Sequence, residues 1–197
     1  HTLGFNPKPR MSFAPACPTG IESEAEYLDI EARFPAPTTQ EVGERLASKL
    51  PVGFEVHCIE PLERADAPIT TDIDGYVVRF DFPDDLAVDI DAGVRRFHES
   101  ESVVFVRTAG RKGAPKNIDL KALVPELMLS GARAARAVML QRDGGSARPS
   151  EVLEGLFGRG GDDVKRVHIM RERAVFRVKE GAIAAPSEDD ADDAMSE

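Results

Sequence analysis

The apolar residues of this chain change period again and again, and that alternation limits it to short strands and short helices in mixed order. In the second half, GYVVRFDF (75–82) has the two-residue period of a strand, and residues 88–98 place Ile90, Val94 and Phe97 at helical spacing. SVVFVR (102–107) is apolar on both faces, as a covered central strand is. ARAVMLQ (135–141) reads as a further strand. RPSEVLEGLFG (148–158) sets Pro149 near a helix start, Val152, Leu153, Leu156 and Phe157 on one stripe, and Gly158 at the stop. VKRVHIMRERAVFRV (164–178) closes with one long or broken strand. The order strand, helix, strand, strand, helix, strand is that of a ferredoxin-like α+β unit.

The first half repeats part of that order. A strand is expected from Met11 to Ala16, and AEYLDIEARF (25–34) alternates Tyr27, Asp29 and Glu31 with Leu28, Ile30 and Ala32 as a half-buried strand. Thr38 and Glu41 form a capping-box signature for a helix with Val42, Leu46 and Leu50 on one side, ended by Pro51 and Gly53. FEVHCIEPL (54–62) alternates again, with Phe54, Val56 and Cys58 against Glu55 and His57. The expected fold is therefore α+β, a tandem of two ferredoxin-like units of which the first lacks its initial strand and helix, truncated at the front. Residues 1–60 make the partial first unit, the proline-rich acidic stretch 61–74 a linker, 75–179 the second unit and 180–197 a disordered acidic tail.

Composition narrows the function classes. With 42% hydrophobic and 30% charged residues in 197 positions the chain has material for a core, and no uncharged apolar run reaches the roughly 18 residues of a membrane span. The two cysteines make neither a disulfide framework nor a four-ligand zinc site, and free thiols fit a cytoplasmic setting. The net charge of -10 conceals an asymmetry: residues 1–100 carry 19 acidic and 9 basic residues, residues 101–185 carry 10 and 16, and the last twelve add six acids. The basic segment fits a polyanion-binding face, an attraction between the halves, a surface shielded by the tail, or ordinary solvated surface.

The chemistry-bearing residues point to binding more than to reaction. Cys17 and Cys58 read as packed thiols, and no histidine among His1, His57, His98 and His168 has metal-ligand spacing. Asp91, in DIDAGVR, reads as a first-turn helix acid, and Glu22, Glu24, Glu26, Asp29 and Glu31 as a solvated strand face. No metal or cofactor is expected. RTAGRKGAPKNIDLK (107–121) is a cationic loop whose Arg107, Arg111, Lys112 and Lys116 are the candidate RNA- or phosphate-binding residues, against the plainer reading of a solvated hairpin. The chain has no Trp and two Tyr, so it lacks the aromatic strands with which RNA recognition motifs stack bases. The loop GFNPKPR (4–10) offers Phe5, Asn6, Lys8 and Arg10 as a partner clamp, or simply connects a preceding helix to the Met11 strand.

GFNPKPR, the SFA strand at 12–14, Pro18 with Gly20, and ESEAEYLDI at 22–30 together resemble the radical SAM-linked, DUF2344, family of bacterial proteins. NIDL (117–120) and GGSARPSEVLEGLFG (144–158) resemble its later elements; Lys8 stands where a histidine is common, and ACPTG replaces a leucine-proline-valine-glycine run. The resemblance implies a partner: a radical SAM protein encoded nearby, or fused in relatives, which itself supplies the three cluster-binding cysteines that this chain lacks. The expected role is that of a non-catalytic accessory protein presenting RNA or protein to that partner; a stand-alone RNA-binding module and an RNA-modifying or RNA-processing enzyme are the alternatives.

Overall fold

A computed structural model describes residues 10–32, 35–63, 66–108, 114–142 and 145–177. The expectations placed on Phe5, Asn6, Lys8, Arg111, Lys112 and the tail 180–197 lie outside these residues. The elements in chain order are β1 (Met11–Phe13), β2 (Glu22–Ser23), β3 (Leu28–Ile30), α1 (Thr39–Ala47), α2 (Ile69–Asp72), β4 (Ile73–Asp81), α3 (Ile90–Glu99), β5 (Val104–Arg107), β6 (Lys116–Asp119), α4 (Leu120–Leu123), β7 (Glu126–Gly131), β8 (Ala134–Arg142), β9 (Gly145–Ser146), α5 (Pro149–Phe157), a 3-10 turn (Gly161–Arg166) and β10 (His168–Phe176).

The fold is mixed α+β. Its main sheet runs β2-β10-β4-β8-β7, with β9 appended to β8. β10, β4, β8 and β7 are antiparallel to their neighbours, and only the short β2 runs parallel, beside β10. Tyr76, Val78 and Phe80 of β4 alternate toward one face, where Phe97 of α3 and Val152, Leu153 and Leu156 of α5 join them in the buried core. Each fully buried side chain of this kind contributes about 1.5–3 kcal/mol over leaving it in water. The helix ends follow local rules. Pro149 stands in the first turn of α5 and Gly158 ends it at φ 64°, a left-handed conformation that costs glycine nothing. Thr38 and Glu41 close the capping box of α1.

Two expectations about strands need correction. SVVFVR is not a covered central strand: β5 pairs only with β6, in a separate two-stranded ribbon, and Val104 and Val106 are 60% and 53% exposed. The sheet strand after α3 is instead β7, whose ladder to β8 runs from Glu126↔Val138 to Gly131↔Ala134. The basic loop thus closes a hairpin inserted between α3 and the sheet. FEVHCIEPL forms no strand, because a strand exists only through its ladder and no described residue pairs with this stretch. Part of the expected linker is ordered, since α2 lies in it and Ile73, 2% exposed, already opens β4.

The first sixty residues bury little. The β1–β3 ribbon pairs Met11↔Ile30 and Phe13↔Leu28, leaving Met11, Phe13 and Ile30 at 45%, 61% and 45% exposure, and α1 has no buried residue. In the second half, by contrast, α3 and α5 approach so closely that a Cβ on Gly93 would lie 2.5 Å from Phe157 Cδ1 and 3.0 Å from the carbonyl oxygen of Leu156. Gly93→Ala should therefore destabilise by about 1–3 kcal/mol, as overpacking does, despite the roughly 1 kcal/mol that alanine gains over glycine in an open helix. Gly43→Ala in α1, where the new Cβ meets only Ile59 Cδ1 at 3.4 Å, should stabilise or be neutral. Urea unfolding midpoints of the two variants check this, and a raised midpoint for Gly93→Ala would refute the close-packing argument.

Candidate ligand-binding cavity

Only two charged residues are buried among those described, Arg171 at 6% exposure and Glu151 at 4%; Arg171 lines one cavity, and Glu151 bonds the backbone of Arg148, which lines it too. Arg171 lies on β10 opposite Val78, on the core face of the sheet. A buried guanidinium needs its donors satisfied, and Arg171 meets that need by reaching across to the chain before β2. Its Nη1 donates to the carbonyl of Pro15 at 2.9 Å and to Oε1 of Glu26 at 2.8 Å, and its Nη2 to the carbonyl of Ala16 at 3.2 Å. Its Cζ sits 3.7 Å from the ring centroid of Tyr76, a cation–π contact whose desolvation strengthens it. Tyr76 in turn donates its hydroxyl to Pro15 at 3.4 Å. Ser23 orients Glu26, donating to Oε1 at 2.6 Å.

The second buried charge belongs to α5. Arg107, at the end of β5, grips Glu151 with a bidentate fork of 2.5 and 2.7 Å and also donates to the carbonyl of Ser146 at 2.8 Å. Glu151 additionally accepts the backbone N–H of Arg148 at 2.9 Å, tying off the start of the helix. Burial pushes the Glu151 carboxyl up, but the Arg107 fork and the Arg148 N–H outweigh it and hold the group below the usual range.

Between these two anchors lies a cavity of about 110 Å³. Ile21, Val78, Met139 and Pro149 give it apolar walls, and Gln141, Ser146, Arg148 and Arg171 bring polar groups to it. Arg148 and Ala16, both exposed, stand at its rim. The segments in which the family resemblance lies, around residues 12–30 and 144–158, meet here although more than a hundred residues separate them in sequence.

The residues expected from sequence are distributed differently. Arg107 faces Lys116 across the β5–β6 ladder, but its fork is engaged by Glu151. Arg10 is exposed beside β1 and pairs with Glu31 at 3.2 Å. Glu22, Glu24, Glu26 and Glu31 are exposed, as a solvated face requires, and several also have partners: Glu22 meets His168, Glu26 meets Arg171, the partly buried Asp29 accepts the backbone N–H of Ile69, and Glu31 meets Arg10. No group of three or more His, Cys, Asp or Glu able to hold a metal occurs among the described residues. Cys17 is half-buried, its thiol donates to the Ile21 carbonyl at 3.6 Å, and burial pushes it up from its ordinary range. Cys58 is exposed, and Asp91 is an exposed first-turn acid of α3. Sequence reading missed Arg171 and Glu151. The available signals were an arginine on the apolar phase of VHIMRER and a glutamate three residues after the helix cap.

His168 is the second tie of β2 to the sheet. Its Nε2 lies 3.1 Å from Glu22 and its Nδ1 3.3 Å from Asp81, so both ring nitrogens face carboxylates and both donate when the ring is charged. Hydrogen bonding to Glu22, then to Asp81, raises its pKa above 6.5. A raised folded-state pKa means that this tie is fully present below the unfolded value of about 6.5 and is lost as pH rises through the folded value. An NMR titration of the His168 ring should give an apparent pKa above 6.5 that falls in Glu22→Gln; an unshifted pKa in the unsubstituted chain would count against the tie. For Glu151 the sign is reversed: its stabilisation holds above the unfolded carboxylate pKa and disappears as pH falls through the lowered folded value. Glu151→Gln should cost about 3 kcal/mol at neutral pH, at the low end for a broken buried pair because Arg107 keeps some contact with water, as measured by chemical denaturation. A loss under about 0.5 kcal/mol, the range of ordinary surface substitutions, would show the pair to be dispensable.

No helix among the described residues is long and apolar enough to cross a membrane. No curated protein and no solved structure matches the chain. A family model described as an uncharacterized protein conserved in bacteria, DUF2344, matches residues 1–149. That match covers both the β1–β2 connection that supplies one wall of the cavity and the β9–α5 junction that supplies another, and the chain belongs to the DUF2344 family.

Proposed function

We propose that the chain is an accessory protein without a reaction of its own, which works in the cytoplasm with a separate radical SAM protein and presents it with an RNA or protein substrate. The observation that carries this reading is the state of the two buried charges at the cavity. Arg171 is committed to Glu26 and two carbonyls, and Glu151 to Arg107. Groups held in this way shape and orient a site, whereas proton shuttles and nucleophiles need a group poised to change state. The family resemblance supports the radical SAM link, and the loop at 4–10, with Phe5, Asn6, Lys8 and Arg10, is the proposed partner contact.

The architecture is read as a tandem of ferredoxin-like units. The strand order β10-β4-β8-β7, with α3 after β4 and α5 after β8, supports this for the second unit. For the first, the antiparallel β1–β3 ribbon followed by α1 supports a unit lacking an initial strand and helix, whose place would be against the exposed side of Met11, Phe13 and Ile30.

RNA is favoured over protein as the presented substrate by the net basic charge of residues 101–185. The proposed phosphate contacts are Arg107, Arg111, Lys112 and Lys116, of which Arg107 also holds Glu151. The experiment that tests the accessory role is sedimentation of the chain with the purified radical SAM protein encoded beside it. A stoichiometric complex with a dissociation constant of about 1 µM or tighter, near -8 kcal/mol, is expected. Two independent species at tens of micromolar, on the order of -6 kcal/mol or weaker, would remove the reading.

A further inference from the structure

We infer that the cavity between the β1–β2 connection and the start of α5 receives a single unpaired nucleobase of an RNA strand, with the adjoining phosphate held at Arg148. The inference rests on the reading of the chain as a presenter of RNA and names the part of the RNA that is held. Size is the first argument. At about 110 Å³ the cavity is far smaller than the roughly 300–1,000 Å³ of pockets that enclose a free ligand. It suits one projecting ring of a larger molecule whose remainder stays outside.

Chemistry is the second. Ile21, Val78 and Met139 offer apolar surface to the faces of a ring, while Gln141 and Ser146 supply an amide and a hydroxyl, each able to donate and accept at a base edge. Arg171, already backed by Tyr76, adds a guanidinium, a group on which splayed-out bases stack in single-stranded RNA recognition. This answers the aromatic poverty of the chain, because a guanidinium plane replaces the missing aromatic platform. Charge is the third. Arg171 and Glu151 are neutralised within the fold, so the cation left at the rim is Arg148, where no hydrogen bond or ion pair of its guanidinium to a described residue is seen. It is the N-cap residue of the nine-residue α5 and is exposed, so its guanidinium can reach a phosphate outside the cavity. An acidic peptide would satisfy the rim but leave the base-sized apolar chamber unused.

The test is methyl-resolved NMR of the whole chain titrated with single-stranded oligouridylate, uridine 5′-monophosphate and inorganic phosphate. Oligouridylate and the mononucleotide should shift the Ile21 and Met139 methyl signals, and phosphate alone should not. Ala16→Leu, which narrows the mouth at an exposed position, and Arg148→Gln, which removes the cation without adding a carboxylate beside Glu151, should each weaken oligouridylate binding about tenfold or more while shifting the thermal midpoint little. If oligouridylate binds without moving those methyls and Ala16→Leu binds it equally well, the inference fails while RNA presentation stands. If no oligouridylate binds at low salt, both fail. Equal shifts from inorganic phosphate, or displacement of oligouridylate by an acidic peptide with the same methyl shifts, would reduce the cavity to an anion site and overturn base recognition.

Discussion

Arg171 is a charge on the wrong side of a strand, and much of the rest of the structure accommodates it. β10 could satisfy a buried guanidinium only by importing acceptors, and those come from the carbonyls of Pro15 and Ala16 and from Glu26. The same strand carries β2 on its outer edge through two ladder pairs and the Glu24 N–H donated to the Arg171 carbonyl. The amino-terminal segment is thus held to the main sheet by the contacts that converge on Arg171, together with His168–Glu22, Asp29 at the Ile69 N–H, the Tyr27–Phe176 ring contact and the buried Ala14 and Ala25. Removing the guanidinium would take a donor from the Ala16 carbonyl and leave Glu26 and the Pro15 carbonyl with only Ser23 and Tyr76, which is why such a group costs far more to delete than its net worth suggests.

On the other flank the same logic appears in a different form. The β5–β6 ribbon is an insertion, and its attachment to α5 runs through the Arg107–Glu151 fork as well as through Phe105, which packs against the core. A residue with the right charge to touch phosphate also anchors a hairpin.

Features fixed by a few neighbouring residues were legible in the sequence. The capping box of α1, Pro149 and Gly158 at the ends of α5, and the stripe of Val152, Leu153 and Leu156 all depend on spacing within one or two turns. Pairing was not legible in the same way. VFVR and ELMLSG both have strand character, and only the ladder to β8 decides which of them enters the sheet. The acidic residues between Glu22 and Glu31 read as solvated surface without partners because those partners, His168, Arg171 and the backbone of Ile69, lie 40 to about 150 residues away. Arg171 itself was hidden because a period-two pattern reads a charged residue as an outward one. The register of β10 against β4 shifts between Arg171 and Arg173, and nothing local in the sequence announces that bulge.

The place of β10 in the sheet has a consequence for how the chain acquires its shape during synthesis. β10 sits between β2 and β4 in the interior of the sheet, yet it is the last of the sheet strands to leave the ribosome. Until it emerges, β4 lacks one of its two neighbours, Glu26 lacks its cation and the cavity lacks a wall. Contacts spanning some 155 residues, such as Arg171 to Ala16, close a loop as long as most of the chain. The contacts of Arg171 with residues 15, 16 and 26, and the cavity wall that it supplies, therefore require the last strand of the sheet to be in place.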